Sequence, residues 1–230
     1  MLSDYLTRNG IVVLRYDDRG VGESKGDFNA STSMDFASDA SAAVNYLISR
    51  TDIPIRNIGI AGHSEGGLIA PITASENNEV DFIVLMAGPG IPGDSILLLQ
   101  GDLIAKASGM SEESVKALHE LRKNIMQVAK DEIDNDVMRN NMITLNKNFI
   151  ANTPKHILDE LEMTEDDVEE GLDIYTGEWM QFFLAYNPRP TLEHTTIPVL
   201  AINGTTDLQV PYKENLEAIE KALIKAGNKN

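Results

Sequence analysis

Short β-branched runs alternate along this chain with longer stretches whose apolar residues recur every three or four positions, the two periods that separate strand from helix. Residues 2–8 suit a helix that stops at Gly10. Ile11-Val12-Val13-Leu14-Arg15-Tyr16 then predicts a buried strand, closed by the turn-rich Asp17-Asp18-Arg19-Gly20-Val21-Gly22-Glu23-Ser24. From Ser33 onward Phe36, Ala40, Ala43, Val44, Leu47 and Ile48 keep helical spacing until Asp52-Ile53-Pro54. A second strand is expected at 57–61, running straight into Gly62-His63-Ser64-Glu65-Gly66-Gly67. Leu68-Ile69-Ala70 restarts a helix there, with Pro71 tolerated only near its first turns. A third strand, 81–87, ends at Gly88-Pro89-Gly90.

The stretch 91–190 has a different character: acidic, helical in period and without a β-branched run fit for a strand, so it reads as a helical insertion. Ser111 with Glu112 and Glu113 supplies an N-cap and first-turn carboxylates to a helix whose face carries Val115, Leu118, Leu121, Ile125 and Val128. Thr164 with Asp167 forms a capping-box variant. A last strand, 198–203, leads into Gly204-Thr205-Thr206-Asp207, and an amphipathic helix covers 213–226. Strands alternating with helices predict parallel βαβ units. The expected fold class is therefore α/β, a mostly parallel sheet flanked by helices, built from 1–90 and 191–230 and interrupted by 91–190.

Composition narrows the partners. Among 230 residues, 19 are basic and 36 acidic, a formal charge of −17 that repels phosphate backbones and anionic lipid headgroups; no basic run makes a local exception, so neither nucleic acid nor a membrane is an expected partner. The longest apolar runs, 83–87 and 96–99, fall far short of the roughly 20 residues that span a bilayer. Asp4 and Arg8 break the pattern of a signal peptide, which leaves a cytoplasmic chain, or a secreted one whose signal lies upstream. Without cysteine there is no disulfide, thiolate metal site or cysteine nucleophile, and no pair of the four histidines stands at metal-ligand spacing, so no metal or cofactor is expected.

The strongest local signal is Gly62-His63-Ser64-Glu65-Gly66, a G-x-S-x-G sequence between a strand and a helix. The serine of such a turn sits at its tip in a strained conformation, and side chains two residues away on either side are expected to collide with the adjoining strand and helix. Ser64 is thereby lifted clear of the sheet as a nucleophile, with the backbone N–H of Glu65 placed to donate to an oxyanion. The orienting acid of a triad should lie past the end of a later parallel strand. Asp207 stands there, although a residue capping the loop 204–211 would look the same.

With those residues in place the chain resembles the α/β-hydrolase fold family, and more narrowly its bacterial esterase and peptidase-like members with a helical cap. Tyr16 to Ser24, the turn Gly62 to Gly67, and Pro198 to Asp207 followed by Gln209-Val210-Pro211 carry the likeness. The resemblance implies Ser64 as nucleophile, Asp207 as triad acid and 91–190 as a cap over an acyl pocket, acting on a small-molecule carboxylic ester, or on a peptide or thioester. It implies loop-building roles for Asp17, Asp18 and Arg19. Trp179, Phe182 and Phe183 are pocket candidates on the last helix of the insertion, where packing of cap on sheet is the plainer account.

The chain departs from the family at both ends. Early strands and the loop giving the second oxyanion donor are not found, nor is the strand that precedes the family's histidine. His63 lies inside the turn, His119 and His156 in the insertion and His194 before the last strand, and none matches that position. The expectation is a weakly active or inactive hydrolase chain, or a non-catalytic binding module that keeps the turn. With the family's third strand missing from between 11–16 and 57–61, these two strands should either close up directly or take a strand from a second copy of the chain.

Overall fold

A computed structural model describes residues 2–229. Three parallel strands, β1 (Gly59–His63), β2 (Phe82–Met86) and β3 (Val199–Ile202), form one sheet in the order β1-β2-β3. Gly59 pairs with Phe82 and His63 with Met86 across the first ladder, and Ile83 with Val199 across the second. The helices are α1 (Leu2–Arg8), α2 (Ser33–Ser49), α3 (Gly66–Glu76), α4 (Gly93–Ala107), α5 (Glu112–Asp131), α6 (Asn135–Asn152), α7 (Lys155–Leu161), α8 (Glu178–Ala185), α9 (Arg189–Leu192) and α10 (Tyr212–Lys225). The stretch 91–190 is helical throughout, with two 3₁₀ turns at Glu165–Asp167 and Leu172–Thr176.

Alternation along β2 sets the layers. Ile83 and Leu85 are fully buried and pack with Val44, Ala70, Leu192 and Ile219 in the core beneath the sheet. Phe82, Leu200 and Ile202 point to the other face and are 40%, 55% and 47% exposed. Parallel strands are ordinarily covered on both faces; here the helices pack on one face and the other is open. A second core joins α5, α6, α8 and the turn Leu172–Thr176, through Leu121, Ile125, Met138, Met142, Leu172 and Leu184. The α5 face read from the sequence is the buried one, and Ser111 caps it by accepting from the Ser114 N–H.

Residues 11–16 do not form the expected strand. The segment carries no ladder bond, and Ile11, Val12, Leu14 and Tyr16 are between 37% and 54% exposed. Strand preference is realised only against a partner, and β1 presents its outer edge unpaired, so the direct closure of these two segments does not occur. The following turn is fastened instead by Arg19. Its guanidinium donates from Nε and Nη2 to the two carboxylate oxygens of Asp39, at 2.7 and 2.8 Å, and from Nη2 to the Asp35 carbonyl at 2.8 Å. That fork geometry, which a lysine cannot reproduce, ties the turn to α2. None of the helices among the described residues is long and apolar enough to cross a membrane.

Candidate active site

The carboxyl ends of the parallel strands gather the candidate residues. Ser64 follows β1 directly, with φ of +53°. A left-handed backbone is unfavourable for any residue with a Cβ, and it holds here because the Ser64 N–H donates to the Met86 carbonyl at 2.9 Å and the Ser64 carbonyl accepts from the Gly67 N–H at 2.8 Å. The glycines divide their duties differently from expectation. A Cβ on Gly62 would overlap the Gly66 carbonyl, and one on Gly67 would come 2.5 Å from the Gly88 Cα. Gly66 faces open space, so the close packing on the helix side belongs to Gly67 and not to Gly66.

Glu65 is the N-cap of α3, in helical conformation, and its N–H makes no hydrogen bond within the described chain, which leaves it available to an incoming oxyanion. The Ser64 hydroxyl is likewise unengaged. Ala87, at the end of β2, also has positive φ, +50°, so two neighbouring strand ends leave the sheet through strained residues.

Asp207 lies beyond β3, two strand spacings from β1, about 10 Å at the sheet edge. Its Oδ1 accepts from the N–H groups of Gln209 and Val210 at 2.8 and 3.0 Å, the loop-capping role that the sequence allowed. Its Oδ2 takes no hydrogen bond among the described residues, and that oxygen is open to another donor. No histidine supplies it: His119 Nδ1 meets Asp102 Oδ2 at 2.8 Å, His156 Nε2 meets Glu113 at 3.3 Å, and His194 Nδ1 meets the Pro190 carbonyl at 2.8 Å. His63 is exposed and engages neither Ser64 nor Asp207. Inside the helical segment, Arg122 packs near Asp102. Burial pulls its pKa down, against the opposing pull of Asp102.

The three aromatic candidates separate. The indole of Trp179 stacks on Phe183 with centroids 5.2 Å apart and 13° between planes, and its Nε1–H donates at 2.7 Å to Glu65 Oε1, beside the Ser64 turn. Phe183 is buried, and its backbone lies against Gly93. Phe182 faces elsewhere, stacked on Tyr186, which packs with Leu68 and Ile72. The Glu65 side chain, and Ser33, whose hydroxyl donates to the same Oε1 at 2.7 Å, join the site without being predicted from the sequence. The available signal was a charged side chain set between the serine and a glycine pair.

A glycine-flanked serine turn leading from a parallel strand into a helix, within a small parallel sheet, defines a partial α/β-hydrolase fold. The profile of the serine aminopeptidase S33 family, Hydrolase_4, matches residues 1–171, and the chain belongs to that family. Esterase EstD of Thermotoga maritima is 25% identical over 209 residues, which are 91% of this chain and 41% of that protein. The chain thus spans about two fifths of that curated relative. A proline iminopeptidase-related protein from Thermus thermophilus shares the fold with a TM-score of 0.52 at 17% identity, over 97% of this chain and 72% of that one. A lipase-esterase related protein from Clostridium acetobutylicum superposes with a TM-score of 0.44 at 18% identity, over 90% of this chain and 68% of that one.

Proposed function

We propose that this chain carries the nucleophile and the acid of a serine hydrolase for carboxylic esters of small molecules. The observation that carries the reading is the positive φ of Ser64 at a strand-to-helix turn, where Gly62 and Gly67 have no room for side chains. Residues 1–90 and 191–230 form the catalytic core and 91–190 the cap. Ser64 Oγ attacks the acyl carbonyl and passes its proton to a base; the Glu65 N–H steadies the oxyanion; the alcohol leaves with that proton; water then hydrolyses the acyl-serine. Asp207 Oδ2 orients the base. Since no histidine of the described chain touches Ser64 or Asp207, the chain by itself acylates slowly and turns over little. A second copy that lends a strand to the β1 edge is the oligomer this reading allows.

A rival reading, a binding module that keeps the turn as scaffold, draws on the same missing base and on the loop-capping bond of Asp207. Release of p-nitrophenol from short-chain p-nitrophenyl esters separates the two. The expected result is slow acylation of Ser64, raised by added imidazole and lost in Ser64→Ala. Imidazole without effect on any Ser64-dependent signal would favour the module. Turnover on the order of 10 s⁻¹, ordinary for an enzyme, would overturn the claim that the base is missing.

A further inference from the structure

The carboxylate of Glu65 joins three elements. Its Oε1 takes both the Ser33 hydroxyl and the Trp179 indole N–H, each at 2.7 Å. Ser33 is the fully buried first residue of α2, Glu65 caps α3, and Trp179 is in the first turn of α8. One negative group therefore stands at the N-terminal turns of three helices, the end where peptide dipoles favour negative charge. An indole N–H is a donor with no acceptor capacity, and no other acceptor in the described chain takes the one on Trp179. Phe183 stacks on the face of the indole and is itself backed by Gly93, a position where any Cβ would overlap the Phe183 carbonyl. Trp179 is thus held at its edge by the carboxylate of the residue next to Ser64 and on its face by a stacked ring.

We infer that Glu65 is a positioning residue: its side chain locks Trp179, and with it α8, onto the nucleophile turn, so that the aromatic wall and Ser64 keep one geometry. The effect on chemistry at Ser64 rests on the reading of Ser64 as nucleophile; the lock itself does not. Trp179 is the chain's single tryptophan, so one indole N–H signal and one fluorophore report on the lock without overlap.

Two measurements on the full chain test it. In the wild type the indole N–H should exchange with solvent at least tenfold more slowly than that of a free indole, and exchange at the free rate overturns the lock. Glu65→Ala should raise acrylamide quenching of Trp179 fluorescence about threefold and slow fluorophosphonate labelling of Ser64 at least tenfold, with far-ultraviolet dichroism unchanged. Glu65→Gln keeps an acceptor oxygen and should restore both. If Glu65→Ala does not fold, the wild-type exchange rate decides. Quenching that rises while labelling stays constant overturns the coupling to Ser64. A wild type that never labels, even in imidazole, refutes the nucleophile instead, and the indole exchange still decides the lock.

Discussion

Replacing Ser64 by glycine removes the proposed nucleophile and, because of the backbone it occupies, should make the protein more stable. At φ +53° the Cβ of Ser64 is disfavoured by about 1–2 kcal/mol. Glycine has no such penalty but loses more chain entropy on folding, roughly 0.5–1 kcal/mol. At the middle of both ranges the difference leaves Ser64→Gly about 0.5–1 kcal/mol more stable than the wild type. For a chain of 230 residues each kcal/mol moves the melting midpoint by about 2–4 °C, so an increase of about 1–4 °C is expected. Ser64→Ala keeps the Cβ and the strain, and the free hydroxyl it removes has no partner, so its midpoint should match the wild type. Thermal unfolding of the three proteins, followed by dichroism, reads the difference directly. Equal midpoints for Ser64→Gly and Ser64→Ala would refute a strained nucleophile turn.

The other expectations concern packing and charge. Gly67→Ala drives a Cβ to 2.5 Å from the Gly88 Cα, a clash of backbone with side chain, and should cost about 1–3 kcal/mol in a urea melt, whereas Gly66→Ala, facing open space, should cost less. Met142→Ala empties a fully buried site in the helical core and should cost about 2–5 kcal/mol; a loss under 1 kcal/mol would mean that α5 and α6 do not share that core. Asp35 is held below the ordinary carboxylate range by the Thr32 N–H and hydroxyl, and Glu160 by the Ser111 and Ser114 hydroxyls and the Ser111 N–H. Carboxylates depressed on folding stabilise above their unfolded pKa, and that contribution is lost as pH falls through the folded value. Stability should therefore fall below about pH 4 in high salt, which screens the −17 charge; a rise between pH 5 and pH 2 would contradict the assignment.

Local signals in the sequence were enough wherever a segment's own pattern decided its structure. The α5 stripe, the Ser111 cap, the Thr164–Asp167 box and the strand 81–87 all depend on neighbours within a turn or a run. Residues 11–16 show the limit. Six residues with strong strand preference stay unpaired, because a ladder needs a second strand that no local pattern can supply. The tight strand-to-helix turn at Ser64 was legible from spacing, but which glycine packs closely was not, since Gly67 meets Gly88 across the sheet's end. The Glu65 contacts join residues 32 and 114 positions apart, beyond any periodicity. Asp207 caps its loop through Oδ1, the local of the two roles its position allowed, while its Oδ2 meets no histidine.

The central claim is that Ser64 is a nucleophile waiting for a base, and intact-mass analysis after fluorophosphonate treatment in imidazole tests it most directly. One adduct should form, grow with imidazole concentration and be absent from Ser64→Ala. A chain that stays unmodified, or an adduct that persists in Ser64→Ala, would contradict it.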